Sequence, residues 1–139
     1  MGIAKSQFNN ILGGIFKAGN TIRLFSTVPD EETEAGGVIV PGSVAYTIQD
    51  GDFSVGDGVV TSRQNMLMYL CETDGGHGTA NGFGVYGDGG LLYFGRFTNP
   101  MDIGYNDVPT IKRYDSSKGE GVQITMVSKE ITEASASAE

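Results

Sequence analysis

The segment from Gly82 to Phe97 constrains this chain most. Two runs of β-type residues, Gly82-Phe83-Gly84-Val85-Tyr86 and Leu91-Leu92-Tyr93-Phe94-Gly95-Arg96-Phe97, flank the loop Gly87-Asp88-Gly89-Gly90. Aspartate and glycine accept the backbone angles that tight reversals need, so the arrangement predicts a β-hairpin. A hairpin alone is marginal in water, and the surrounding chain has to complete the sheet.

It carries the means to do so. Glycine occupies 22 of 139 positions, well above the usual roughly 7%. The glycines have no collagen-like period. They fall in pairs between apolar runs, at Gly13-Gly14, Gly36-Gly37, Gly75-Gly76 and Gly89-Gly90, as turn punctuation does. Strands are expected at Thr21 to Thr27, Val38 to Val40, Tyr46 to Ile48, Val59 to Thr61, Val108 to Tyr114 and Gly121 to Val127. The apolar run Met66 to Cys71 reads as a strand covered on both faces. This spacing predicts an all-β fold: a single-domain antiparallel β-sandwich, jelly-roll-like or Ig-like. Residues 1–131 form that domain, and 132–139 (TEASASAE) form a polar C-terminal tail. The loops Pro29 to Gly37, Asp50 to Gly58 and Asp74 to Gly82 are expected at the outer surface.

The N-terminus follows a different period. Phe8, Ile11, Leu12, Ile15 and Phe16 fall at i, i+3, i+4, i+7 and i+8, one face of an amphipathic helix over about residues 6–18. Ser6 is the expected N-cap and Gly19 the expected stop. Gly13 and Gly14 weaken that helix, so it should form only when docked. Its stripe is then either core or a partner surface, and these five residues are the candidate assembly surface.

Acidic residues outnumber basic ones 17 to 9, a net charge of −8, and no cluster of Lys or Arg is expected anywhere. Nucleic-acid binding through phosphate neutralisation is disfavoured. One cysteine, Cys71, excludes an intramolecular disulfide and a multi-cysteine zinc site. Neither a signal-peptide pattern nor a membrane-spanning apolar run is present, so no membrane association is expected. Met1 to Ser6 matches the loose myristoylation pattern, but the residues after it look helical.

Local motifs assign no chemistry. Gly82-x-Gly84-x-x-Gly87 matches a dinucleotide string but lies in a strand instead of opening a helix. Asp50-Gly51-Asp52 with Asp57 lacks the glycine and glutamate of a calcium loop. Gly75-Gly76-His77-Gly78 has Ala80 where a calcium nonapeptide has aspartate, and both segments read as solvated turns. Cys71 reads as a buried inert thiol and His77 as an exposed loop residue, without a third group to orient a nucleophile pair. No catalytic, cofactor-binding or metal residues are assigned, and no cofactor is expected. Tyr69, Tyr86, Tyr93, Phe94, Phe97 and Tyr105 supply aromatics for a glycan-stacking face, although strand alternation favours core for most of them.

The string GFGVYGDGGLLYFGRFTNP (Gly82 to Pro100) resembles the hallmark of a family of small phage virion proteins labelled tail fibre proteins. The matching positions are Phe83, Val85, the Gly89-Gly90 turn, Leu91-Leu92-Tyr93-Phe94-Gly95, Thr98 and Pro100. Leu24-Phe25-Ser26-Thr27-Val28-Pro29-Asp30 and Ile124-Thr125-Met126 are similar in order. The chain departs from the family pattern in having no tryptophan and in Asn106-Asp107, where a Gly-Asp turn is usual. The resemblance implies a non-enzymatic structural or adhesive subunit, made in the host cytoplasm and built into the virion. Its partners would be copies of itself, tail proteins or major capsid subunits. A head-decorating protein is the alternative within that class, and a carbohydrate-binding module the alternative outside it.

Overall fold

The computed structural model describes residues 3–126. Val127, the tail 132–139 and the first two residues of the myristoylation pattern lie outside them. The fold is all-β, built from antiparallel sheets with one short helix at the N-terminus.

The expected hairpin is the longest feature. Strands β7 (Gly78–Gly87) and β8 (Gly90–Ile103) pair from Gly78↔Ile103 to Gly87↔Gly90, which leaves only Asp88 and Gly89 in the turn. Strand β1 (Thr21–Thr27) pairs with the other side of β7, with Ile22 opposite Val85 and Leu24 opposite Phe83. Two short strands share the outer side of β1: β2 (Val38–Ile39) beside Phe25 and Thr27, and β3 (Tyr46–Thr47) beside Thr21 and Ile22. The main sheet therefore runs β2-β1-β7-β8, with β3 beside β2 on the same edge.

Alternation sends Ile22, Leu24, Phe83 and Val85 to one face, where they join a core cluster with Leu12, Val60 and Met66. Phe25 is buried on the opposite face, over β7. Glycine makes the room for it: a Cβ on Gly84 would stand 2.6 Å from Phe25 Cε2, and one on Gly82 would collide with the Gly95 carbonyl and Val28. The dinucleotide-like glycines thus serve close packing within a sheet.

The second sheet has the order β10-β5-β4, from β4 (Phe53–Gly56), β5 (Val59–Ser62) and β10 (Gln123–Thr125). Strand β4 falls in a segment expected to be loop. Gly56 pairs with Val59 across Asp57-Gly58, and both turn residues have positive φ, 53° and 73°. That is the geometry of a two-residue hairpin turn, and it turns Phe53 to Gly56 of the expected surface loop 50–58 into strand. The third loop, 74–82, is likewise shortened, because β7 begins at Gly78.

Strands β6 (Met66–Leu67) and β9 (Thr110–Ile111) form the third sheet. The run Met66 to Cys71 is not covered on both faces, as its composition predicted. Met66, Met68 and Cys71 are buried, whereas Leu67 and Leu70 are exposed. Among the described residues its backbone pairs on one side only, through Met68 N–H to Pro109 O and Cys71 N–H to Asp107 O, both 2.8 Å.

Helix α1 (Phe8–Ile15) follows a 3-10 turn, Lys5–Gln7. Ser6 lies within that turn and caps nothing, because the chain enters through the backbone bond Gln7 N–H to Ala4 O. The helix stops three residues short of the expected end. Asn20 Nδ2 donates to the last carbonyls, Ile15 O at 2.9 Å and Gly14 O at 3.2 Å, and so terminates it from the side. Phe8, Leu12 and Phe16 are each 4% exposed, and Ile15 packs against the core. Ile11, 37% exposed, is the most open residue of the stripe. The burial supports core over partner surface for the candidate assembly stripe.

Glycine substitutions in the helix and in β7 should have opposite signs. Gly13 and Gly14 have open space where a Cβ would go, so Gly13→Ala and Gly14→Ala should each add about 0.5–1 kcal/mol of stability. Gly82→Ala should cost at least about 2 kcal/mol, because the Gly95 carbonyl cannot withdraw without opening the ladder. Urea midpoints of the three variants check this.

Candidate functional site

The outer strand of the main sheet defines the site. β8 is 14 residues long and pairs only with β7. Its other side has no strand partner among the described residues, which leaves a row of N–H and C=O groups as a template for another chain. Pro100 lies within β8, and proline is tolerated in a sheet only where a donor is dispensable.

Beside β8 runs an open groove of about 540 Å³. Its floor is aromatic: Phe83 stacks on Phe97 at 5.6 Å between ring centroids and tilts against Tyr93 at 5.8 Å. Burial raises the Tyr93 hydroxyl pKa above the usual phenol value. The far wall is the chain from Thr110 to Ile124, and Arg96, Lys112 and Lys118 stand around the rim with Glu120. Lys112 Nζ is 2.8 Å from Glu120 Oε2, the one ion pair among the described residues. A neighbouring depression also takes in Arg113 and Asp115. Four of the nine basic residues therefore gather here, which corrects the expectation that Lys and Arg form no cluster. The legible signal was Lys112, Arg113 and Lys118 within seven positions. Arg96 joins them only through the sheet.

Ser62 fixes the wall. This buried residue donates from Oγ to Lys112 O at 2.8 Å and accepts at Oγ from Val122 N–H at 3.0 Å, and its N–H reaches Val122 O at 2.9 Å. One hydroxyl thus ties two irregular segments to β5. Next to it, a turn is closed by mutual backbone bonds of Asp115 and Glu120, 2.9 and 3.1 Å. Hydrogen bonds from Ser117, the hydroxyl first, hold the Asp115 carboxyl below the usual range. Gly121 packs with no side chain against the backbone of Tyr114, at φ 88°.

The other sequence candidates lie elsewhere. His77 is half-buried instead of exposed: Nδ1 is 3.0 Å from Tyr69 Oη and Nε2 is 3.0 Å from Thr73 Oγ1. Cys71 is fully buried, with Sγ 4.0 Å from Thr73 O. Both ring nitrogens of His77 thus face hydroxyls, and these contacts hold the 69–77 segment together. Asp52, read as part of a solvated turn, points inward. It is 4% exposed, and Oδ2 accepts from Tyr46 Oη at 2.6 Å and Gln49 N–H at 2.8 Å. Among the described residues, no group of three His, Cys, Asp or Glu side chains is placed to hold a metal ion. Of the aromatics considered for glycan stacking, Tyr93 and Phe97 reach the groove, whereas Tyr105 is exposed and does not line it.

Removal of the Ser62 hydroxyl leaves the buried Val122 N–H without its acceptor, so Ser62→Ala should cost about 1–3 kcal/mol. Faster amide exchange at Val122 and Tyr114 would locate the loss in the groove wall. Tyr46 gives a pH signature. Burial first, then the Asp52 carboxylate, raises its hydroxyl above the ordinary phenol value. A group with a raised folded value stabilises fully below its unfolded pKa, about 10, and loses that contribution as pH climbs further. The urea midpoint should fall above pH about 10, and Tyr46→Phe should flatten that fall. Equal slopes in both proteins would assign the loss to Tyr69, Tyr86 and Tyr93, which burial also raises.

Comparison of the chain with protein-family models, with curated proteins and with solved structures returns no match.

Proposed function

We propose that this chain is a non-enzymatic structural or adhesive subunit of a bacteriophage virion, of the tail fibre or tail-associated type. It acts by surface complementarity, in several copies, with other virion proteins as partners. The observation that carries the reading is the open side of β8. The strand most like the phage family, Leu91 to Pro100, is also the long sheet edge that lacks a partner among the described residues. An edge of this kind binds by adding a strand from another chain.

The exposed apolar side chains favour the same reading. Leu67, Leu70, Tyr105 and Val108 are exposed on the two segments that β6 and β9 bring side by side, and Leu92 is exposed on β8. Such groupings mark contact surfaces. As architecture we propose a single-domain β-sandwich, its main sheet packed against the β4-β5-β10 sheet. The core cluster supports this, since Leu24 and Val85 of one sheet share it with Val60 of the other.

Localisation on the particle tests the function. Purified virions labelled with an antibody to this chain should show gold at the tail in negative-stain images. Label on the head would replace the tail assignment with a capsid-decorating one. Absence from both would overturn the virion reading.

A further inference from the structure

The loop between β1 and β2, Pro29 to Gly37, is cross-linked by hydrogen bonds of its own. Asp30 Oδ1 accepts from the N–H groups of Glu32 and Thr33, each at 2.9 Å, and from Thr33 Oγ1 at 3.2 Å. These bonds, that of the Thr33 N–H first, hold its carboxyl below the usual range. Asp30 N–H to Ala35 O and Glu34 N–H to Asp30 O, both 2.8 Å, close the loop. Asp30 is thereby used internally, and Glu31, Glu32 and Glu34 are carried outward, all exposed. A pre-ordered loop loses little conformational entropy when it binds.

The loop adjoins β2 at one edge of the main sheet, and the groove adjoins β8 at the other. Arg96 and Lys118 on the groove rim are exposed, and among the described residues neither has an ion-pair partner. The same holds for Glu31, Glu32 and Glu34. In a chain of net charge −8, copies repel one another overall. A cationic rim on one copy and a carboxylate loop on the next is an arrangement that turns repulsion into attraction.

We infer that the groove beside β8 receives the acidic loop Pro29 to Gly37 of a second copy, with Arg96 and Lys118 facing Glu31, Glu32 and Glu34. The inference rests on the assembly reading above and names its partner. The two surfaces differ, so the contact is heterologous: it propagates from copy to copy and closes into a ring or extends as a fibre.

Sedimentation velocity on the full chain tests this. Association should weaken at least tenfold as ionic strength rises from about 0.05 M to about 0.5 M, because the screening length falls from roughly 14 Å to roughly 4 Å. Two charge-reversed variants, Glu31→Lys/Glu32→Lys/Glu34→Lys and Arg96→Glu/Lys118→Glu, should each be monomeric with unchanged circular dichroism. Mixed in equal amounts they should associate again, since each then meets a partner of opposite charge. If the wild type associates and neither variant weakens it, copies assemble through another surface and the loop–groove contact fails while the assembly reading stands. A monomeric wild type at low salt overturns the contact, and particle labelling then decides the virion reading separately. Retention of that monomer on immobilised heparin, lost in Arg96→Glu/Lys118→Glu, would reassign the groove to an anionic glycan.

Discussion

The architecture depends on how closely β1 and β8 approach β7. Phe25 crosses the face of β7 at Gly84, and Gly82 sits against the carbonyl of Gly95 and the side chain of Val28. A side chain at Gly84 would displace the Phe25 ring and Leu91 from the sheet face, and one at Gly82 would press on the backbone of β8 at Gly95. With glycine there, one face of β7 presents Phe83 and Val85 to the core while the other is covered by Phe25. β7 is thus covered on both faces where it carries β8, and the two pair from Gly78↔Ile103 to Gly87↔Gly90 with irregularities after Ala80 and at Val85/Tyr86.

A few buried polar groups connect that sheet to everything around it. Asn20 ends the helix and lies at the start of β1. Asp52 draws Tyr46 and the turn at Gln49 together, and Ser62 ties the chain near Lys112 and Val122 to β5. Each of these groups is satisfied, so each specifies a position and does not merely fill space. Asn9, although exposed, adds a further link: its Oδ1 accepts from Gly58 N–H at 2.9 Å, which seats the helix on the β4–β5 hairpin. The weak Gly13-Gly14 helix is held by this bond and by Phe8, Leu12 and Phe16, consistent with a helix that needs docking to form.

Local signals were read where the physics is local. β1 spans the expected Thr21 to Thr27, the hairpin turn falls at Asp88-Gly89, and the helical stripe points as its period requires. What escaped were features set by partners distant in sequence. β4 was hidden in an aspartate-glycine segment because Phe53, Ser54 and Val55 become a strand only beside Val60 to Ser62. Met66 to Cys71 has the composition of a doubly covered strand, yet it lies where one side has no neighbour, and Leu67 and Leu70 face outward. His77 and Asp52 looked like loop residues, and their hydrogen bonds to Tyr69, Thr73 and Tyr46 decided otherwise.

The sequence by itself determined that the chain would be all-β with one N-terminal helix, because turn chemistry and side-chain period act within a few residues of one another. It also marked Gly82 to Phe97 as a hairpin. Only the tertiary structure decided that this segment ends in an open edge, that Arg96 joins Lys112 and Lys118 around one groove, and that the acidic loop stands at the other side of the sheet. Those arrangements follow from strand order, and strand order is set by which apolar faces can be buried together, a property of the whole chain.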